Sequence, residues 1–447
     1  MEILRNAIRP YAWGSRTVIA ELQGRESPAP HPEAELWMGA HPDDPSTVIA
    51  PDGGERSLLD LIEADPVGQL GENCARQWGN RLPFLLKVLA AEEPMSLQAH
   101  PSAAQSREGF AREEAAGVPR QAPNRNYPDP CAKPELVCAL SEFHVLAGFR
   151  DPRRTVALLE ALDAPRLRPY VALLAGQPDA NGLRGLFTTW ITLPTAVYDS
   201  LLPEVLDACV RHVREHGQFA LECRTILELG ELYPGDPGVL AALLLNRLVL
   251  KAGEAVYLAA GNLHAYLRGT GVEILANSDN ILRCGLTPKH VDVPELLRVV
   301  DFSNGDMPVL RGEEVARHLF SYHTDAPEFT LSRLEWDYAP GDRDAVELHD
   351  PGPQMLVCTA GTVLLRGPDG CELKLGRGES AWVPARDCHA GPVTVSPTDV
   401  AVTQLFRATC SDVPGGAGRR SRSLACPSTP QAIEASEARA CSRLRAD

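Results

Sequence analysis

Between residues 151 and about 246 the apolar residues recur at i, i+3, i+4 and i+7, and on either side of that block they do not. RRTVALLEALDA, RPYVALLAG and LLPEVLDACVRHVREH carry this helical spacing. From residue 11 to about 100 short apolar runs are broken by Pro, Gly and Asp, as in STVIA before PDGG and LPFLLKVLAA before EEP, which predicts strands and loops. Residues 102 to 116 read as a surface helix, followed by the turn-rich VPRQAPNRNYPDP. Strands resume with AVYLAAG and VEILANS, and a second β-rich stretch from about 325 to 407 includes QMLVCTAGTVLLR and CELKLGRGESAWVPA. A helical block inside a β-rich chain, with short strands joined at glycine-bearing turns, predicts β-sandwich or jelly-roll units around a helical insertion. At 447 residues the chain needs two or three cores rather than one. After Ala408 the composition turns to Ser, Arg, Ala and Pro, which predicts a poorly packed tail.

Charge and cysteine usage narrow the function. With 43 basic against 59 acidic side chains, most of the surface repels a phosphate backbone, which argues against nucleic acid but leaves room for a small phosphorylated ligand where positive charge is concentrated. The N-terminus carries no apolar leader and polar residues break every long apolar run, so the expected setting is the cytoplasm, with no membrane partner. The twelve cysteines contain no CxxC pair and read as small buried residues rather than metal ligands or a redox motif. Lysine occurs at only five positions, 87, 133, 251, 289 and 374. Where arginine has taken most cationic positions, a remaining lysine marks a place for a compact, deprotonatable amine.

Three short segments concentrate catalytic residue types. In MSLQAHP, Gln98 and His100 stand two apart and share one face of a strand; alone, such a pair reads as a hydrogen-bonded strand end. In CAKPEL, Lys133 and Glu135 flank Pro134; alone they read as a solvated ion pair, but the following LVCAL run draws them inward. The segment AGNLHAYLRGTGVEILANSDNILRCGLTPKH holds His264, Tyr266, Glu273, Asp279, Arg283 and Lys289. Gln98, His100, Glu135 and His264 together make a four-ligand N/O set with one anion, suited to zinc. HVREH at 212–216 fits a metallopeptidase pattern, yet it also reads as the end of an amphipathic helix.

YAWGS at 11–15, AELWMGAHP at 34–42, LPFLLKVLAAEEPMSLQAHP at 82–101, YPDPCAKPEL at 127–136 and the block at 260–290 resemble, in order, the signature regions of the type I mannose-6-phosphate isomerase family. The resemblance is strong over about residues 8 to 302. It implies a mainly β fold with an inserted helical domain and two cupin-type jelly rolls: a catalytic cupin from 1–150 and 247–322, helices from 151–246, a second cupin-like domain from 323–409, and the tail at 410–447. It further implies one zinc ion held by Gln98, His100, Glu135 and His264, and reversible interconversion of mannose 6-phosphate and fructose 6-phosphate through an enediol, supplying mannose 6-phosphate for GDP-mannose. Arg283, Lys133, Glu273 and Asp279 are the expected catalytic residues. Ser96, Lys133, Tyr266 and Lys289 are expected to face the substrate, in a chain expected to be monomeric. Lys133 and Glu273 are both candidate bases, and Asp279 or His100 is expected to assist opening of the sugar ring. One departure stands out: the family usually has Asn-His before Lys-Pro-Glu, whereas this chain has Cys131-Ala132. The alternatives are a sugar-phosphate isomerase of other specificity and a cupin that binds sugar or metal without catalysis.

Overall fold

The computed structural model describes residues 1–50, 53–337, 344–398 and 402–410; of the expected tail, everything beyond Cys410 lies outside the described residues. Strands dominate on both sides of a helical block, as the periodicity predicts. A ten-stranded antiparallel sheet has the strand His264–Ala276 near its centre, flanked by Phe84–Ala91 and Phe143–Phe149 and branching to Glu135–Ala139 and Leu97–Ala99. Alternation sorts its side chains. Leu36, Met38, Leu86, Val88, Leu136, Cys138, Val272 and Ile274 enter one apolar core, which Met355, Val357, Trp382 and Phe406 of a second sheet complete from the other side. The intervening Glu35, Trp37, Lys87, Glu135 and Glu273 line a cavity. A strand that buries every second residue leaves its other face free to carry polar chemistry.

The second sheet has nine strands and runs from Glu313–Ala316 at one edge to Glu55–Ser57 at the other. With a four-stranded sheet, Val346–Leu348 to Glu372–Gly376, it encloses a separate core around Trp336, Val363, Leu375 and Leu405. Two packed antiparallel sheets are the sandwich expected for this stretch. The strand Glu2–Arg5 belongs here, opposite Ser380–Val383, although the next strand, Ala7–Arg9, joins the ten-stranded sheet.

Six α-helices, Pro152–Ala161, Arg168–Gly176, Ala180–Ile191, Thr195–Arg214, Ala220–Leu232 and Gly238–Ala242, fill the interval between the strands Phe143–Phe149 and Leu245–Leu250. Asp151 and Asp179 start two of them by accepting backbone N–H bonds. Their apolar faces, with Phe187, Trp190, Leu202 and Ile226, pack onto Leu97, Ala99, Leu263 and Ala265 of the catalytic strands, so the insertion supports the site from behind. The surface helix expected at 102 to 116 spans Ala103–Ala115 and begins with a capping box between Ser102 and Gln105. The strand-and-loop expectation for residues 11 to 100 missed the helices Val18–Leu22, Leu58–Ala64 and Pro66–Trp78. Pro66 and Gly71, the latter at φ +78, interrupt the periodic pattern; the caps Ser57 and Asp65 make each short helix start again. No helix among the described residues is long and apolar enough to cross a membrane.

One buried acid gives the fold a pH dependence. Glu328, before the strand Thr330–Trp336, has a carboxylate oxygen with no hydrogen-bond partner, and burial pushes its pKa up to about 7. A carboxyl whose pKa is raised in the folded state stabilises fully below its unfolded pKa and loses that contribution as pH rises through the folded one. Glu328→Gln is therefore expected to be more stable than the parent at pH 8 and equal to it below pH 4. The gain at pH 8 is expected to reach up to about 3 kcal/mol, since each tenfold change in a protonation equilibrium is worth about 1.4 kcal/mol. Urea midpoints at the two pH values check this; an unchanged difference between them would remove Glu328 as the titrating group.

Candidate active site

Sheet register assembles the site. His264 opens its strand opposite Gln98, and Arg283 lies opposite Gln98 on the other side. Leu275 of the same central strand pairs with Glu135, and Glu273 lies opposite Lys87, which is itself opposite Trp37. Residues far apart in sequence thus reach one cavity of about 460 Å³, a volume suited to a small polar ligand.

At one end His100, Glu135 and His264 place ligand atoms within 4.8 Å of one another, and all three are buried. His100 Nε2 lies 3.2 Å from Glu135 Oε1, and His264 Nε2 lies 3.4 Å from Glu135 Oε2. The rings are oriented from behind. Nδ1 of His100 is 2.7 Å from the Asn280 carbonyl oxygen and Nδ1 of His264 is 3.0 Å from that of Asn262, so each Nδ1–H donates outward and each Nε2 lone pair faces the carboxylate. Burial, with Lys133 nearby, pushes the His100 pKa down to about 4, which keeps that ring neutral. Burial alone would raise the Glu135 carboxyl, but His100 and Lys133 outweigh it and hold it well below the usual carboxylate range. His100 Nε2 and Glu135 Oε2 are buried without a hydrogen-bond partner, the condition of ligand atoms directed at a cation. Gln98 reaches the same point, its amide nitrogen 3.4 Å from His264 Nε2 and its oxygen accepting from Ser96 Oγ at 3.3 Å. Amide nitrogen and oxygen exchange places by a simple flip, so Gln98 offers its oxygen to a bound cation at no cost in packing. Two neutral imidazoles, one carboxylate and one amide fit a divalent metal of borderline softness.

A second group stands beside it. Lys87 Nζ lies 3.4 Å from Glu35 Oε1 and 3.3 Å from Glu273 Oε2, all three side chains buried, and Trp37 Nε1 donates to Glu35 Oε2 at 2.7 Å. Burial works against the Lys87 charge, yet the two carboxylates more than restore it. One ammonium cannot balance two buried anions, and burial holds the Glu273 carboxyl above its ordinary value. Burial, with the Glu273 and Glu135 charges, also holds the Tyr266 hydroxyl well above its ordinary pKa, so it remains a donor. Lys133 Nζ lies 3.3 Å from Glu135 Oε1.

Across the cavity Arg283 and Lys289 have no acidic partner within ion-pair distance among the described residues. Burial lowers both their pKa values, and Arg283 lowers that of Lys289 further, a repulsion that a bound anion relieves. Asp279 lies on the same wall. Burial pushes its carboxyl up, but the His41 ring and the Lys133 and Lys87 charges prevail and keep it ionised. Its turn is held by Asp129, whose carboxylate accepts from Asp279 N at 2.8 Å and from Ser278 Oγ at 2.9 Å.

Every site residue expected from the sequence, Ser96 included, thus lies in the metal cluster or on the cavity wall. Sequence reasoning passed over Glu35, Trp37, His41, Lys87 and Tyr233, all of which line the cavity. Lys87 had a signal: it is one of five lysines and the sole charge in the strand FLLKVLAA. HVREH forms no metal group among the described residues: its helix ends at Arg214, His216 has φ +54, and His212 Nε2 accepts from Phe219 N at 3.2 Å.

Comparison with known proteins agrees with this geometry. The family described as phosphomannose isomerase type I, catalytic domain, matches residues 1–152. The chain is 40% identical over 402 residues to the mannose-6-phosphate isomerase of Escherichia coli (strain K12), covering 88% of this chain and 97% of the relative. It is 31% identical over 438 residues to that of Homo sapiens, covering 90% and 97%. A point variant of phosphomannose isomerase from Salmonella typhimurium superposes with a TM-score of 0.81 at 35% identity, over 92% of this chain and 99% of that one. A zinc-bound mannose 6-phosphate isomerase superposes at 0.80 with the same identity and coverage. With its cavity built from the central strands and its relatives matched over nearly their whole length, the chain belongs to the type I mannose-6-phosphate isomerase family.

Proposed function

We propose that this protein is a zinc-dependent isomerase that interconverts mannose 6-phosphate and fructose 6-phosphate, placing it at the supply of mannose 6-phosphate for GDP-mannose. The observation that carries the reading is a preformed N/O metal cluster and two cations without acidic partners on the same cavity, among the described residues of a chain aligned over 88% of its length with an enzyme of that name. Gln98, His100, Glu135 and His264 hold the metal, with Asn280 and Asn262 fixing the two rings. Bound there, zinc supplies a Lewis acid that polarises the sugar oxygens.

The remaining steps belong to side chains. The isomerisation removes the proton from C2 and returns one to C1, while the carbonyl moves from C1 to C2 and a hydroxyl proton moves from the C2 oxygen to the C1 oxygen. Glu273 is the base for the carbon-bound proton. Its raised pKa suits a group that must take a proton and give it back, and the Lys87 ammonium stays charged beside it throughout. Lys133, its Nζ 3.3 Å from Glu135 Oε1, serves with Tyr266 as a donor to the sugar oxygens. Arg283 neutralises the enediolate, Lys289 and Ser96 help to hold the substrate, and Asp279 takes the anomeric hydroxyl proton as the ring opens and returns it to the ring oxygen. The Cys131 carbonyl accepts from Ser278 Oγ at 3.3 Å and Asn280 Nδ2 at 2.8 Å, which ties this segment to the turn that carries Asp279. A cytoplasmic setting goes with this reading, since phosphorylated sugars do not cross membranes unaided.

Purified protein assayed with mannose 6-phosphate before chelation, after it, and after zinc is restored tests the function. Activity that disappears and returns with the metal is the expected result. A zinc-loaded protein that exchanges no solvent deuterium into the sugar is a binder instead, and one that turns over only another sugar phosphate has a different specificity.

A further inference from the structure

His41 follows the strand Glu35–Met38 and is 4% exposed, its ring packed edge-on against Trp37 at 4.9 Å between centroids. Nδ1 accepts the Asp43 backbone N–H at 3.2 Å. A neutral imidazole whose Nδ1 is an acceptor carries its proton on Nε2. That nitrogen lies 3.2 Å from Asp279 Oδ2. The Asp279 backbone is anchored separately, its N–H donating to Asp129 Oδ2 at 2.8 Å. The acid on the cavity wall is therefore held at two points, the backbone by Asp129 and the carboxylate by His41. Apart from His100 and His264 of the metal cluster, His41 is the only histidine among the described residues lining the cavity, and Ala132, beside Lys133, brings no other imidazole to this wall.

We infer that His41 is a positioning residue for the isomerisation: its Nε2–H fixes the orientation of the Asp279 carboxylate for proton transfer with the sugar ring oxygens. This rests on the proposed isomerase reading. The backbone supplies the reason for the tautomer. The Asp43 N–H occupies the other ring nitrogen, so the Nε2 proton has one direction to point. The charged groups around the pair are Asp43 on the His41 loop, Asp129 at the Asp279 turn, the Arg9–Asp44 ion pair behind Trp37, Lys133 just before the strand Glu135–Ala139 and Lys87 on the strand Phe84–Ala91, the two lysine charges acting on Asp279. Without the imidazole donor, Asp279 keeps the two lysines but loses the partner that sets its direction.

Two variants separate positioning from packing. His41→Phe retains the ring against Trp37 and removes the donor; His41→Gln places an amide N–H near the position of Nε2. In zinc-loaded protein with mannose 6-phosphate, His41→Phe is expected to lower kcat about 10- to 30-fold with little change in KM, the cost of a misdirected catalytic group. In His41→Phe the Asp279 carboxyl is expected to titrate at higher pH than in the parent, because a donor to its ionised form is lost, and its ¹³C carboxyl signal reads this directly. His41→Gln is expected to recover most of kcat and the parent titration of Asp279. Long-range ¹H–¹⁵N spectra of the parent are expected to show His41 with its proton on Nε2, a readout that does not depend on turnover. Parent-like kcat and Asp279 titration in His41→Phe overturn the inference, as does an equal loss in both variants with a lower melting temperature. A second zinc per chain that disappears in His41→Phe also overturns it, because His41, Asp43 and Asp279 lie close enough to hold a cation and the histidine is then a ligand. An inactive parent with the Nε2–H tautomer present refutes the isomerase reading rather than the geometry of the pair.

Discussion

Glu135→Gln is expected to lose zinc and to reduce kcat/KM by about a thousandfold or more, beyond the 10- to 100-fold typical of residues that only support a metal ligand. The change keeps the size of the side chain and removes the one anion of the ligand set. Glu135 Oε1 lies 3.2 Å from His100 Nε2 and 3.3 Å from Lys133 Nζ, so losing its charge leaves a buried cluster of two imidazoles and an ammonium with nothing to balance a divalent ion. The parent carboxylate is held well below its usual pKa and is an anion at neutral pH, whereas Glu135→Gln offers no anion at any pH. Metal content of dialysed protein together with steady-state rates decides the matter. One zinc per chain retained with activity within about tenfold of the parent would place the metal elsewhere.

The second large effect concerns the base. Glu273→Gln is expected to lower kcat by about a thousandfold, within the range of a general base, with KM and zinc content near the parent's. Charge balance makes this a clean substitution. In the parent, Lys87 lies between Glu35 and Glu273, and replacing Glu273 leaves one ammonium with one carboxylate, so the buried group should not destabilise the sheet. The discriminating readout is solvent deuterium entering the sugar at C1 or C2, expected to stop in Glu273→Gln. Lys133→Met is expected to slow turnover but to leave some exchange, since it removes a donor. The opposite pattern, exchange surviving in Glu273→Gln and absent in Lys133→Met with zinc bound, assigns the base to the lysine.

Both predictions use residues visible in the sequence, but for different reasons. Gln98 and His100 can be paired by inspection because strand alternation is a local property of the backbone. The helical block between two β-rich stretches is legible in the same way, as is the surface helix after Ser102. Where Pro66 and Gly71 break the period, local reading fails and gives strands and loops in place of two helices. Glu35 and Lys87 are harder to see. Each is a charge in an apolar strand, and nothing within a few residues shows which face of that strand meets a cavity.

The order of elements, the polar pairs that share a strand face and, through the motifs, the family can all be read from the linear chain. They depend on spacing over a few residues, which φ/ψ geometry converts directly into direction. Which pairs meet became visible only in three dimensions. Glu273 faces Lys87, His41 reaches Asp279, and Glu2–Arg5 enters a sheet with Ser380–Val383. Such pairings follow from sheet register, and register is chosen by which alternate residues can be buried together from both sides of a sheet, a constraint written across the whole chain rather than in any one segment.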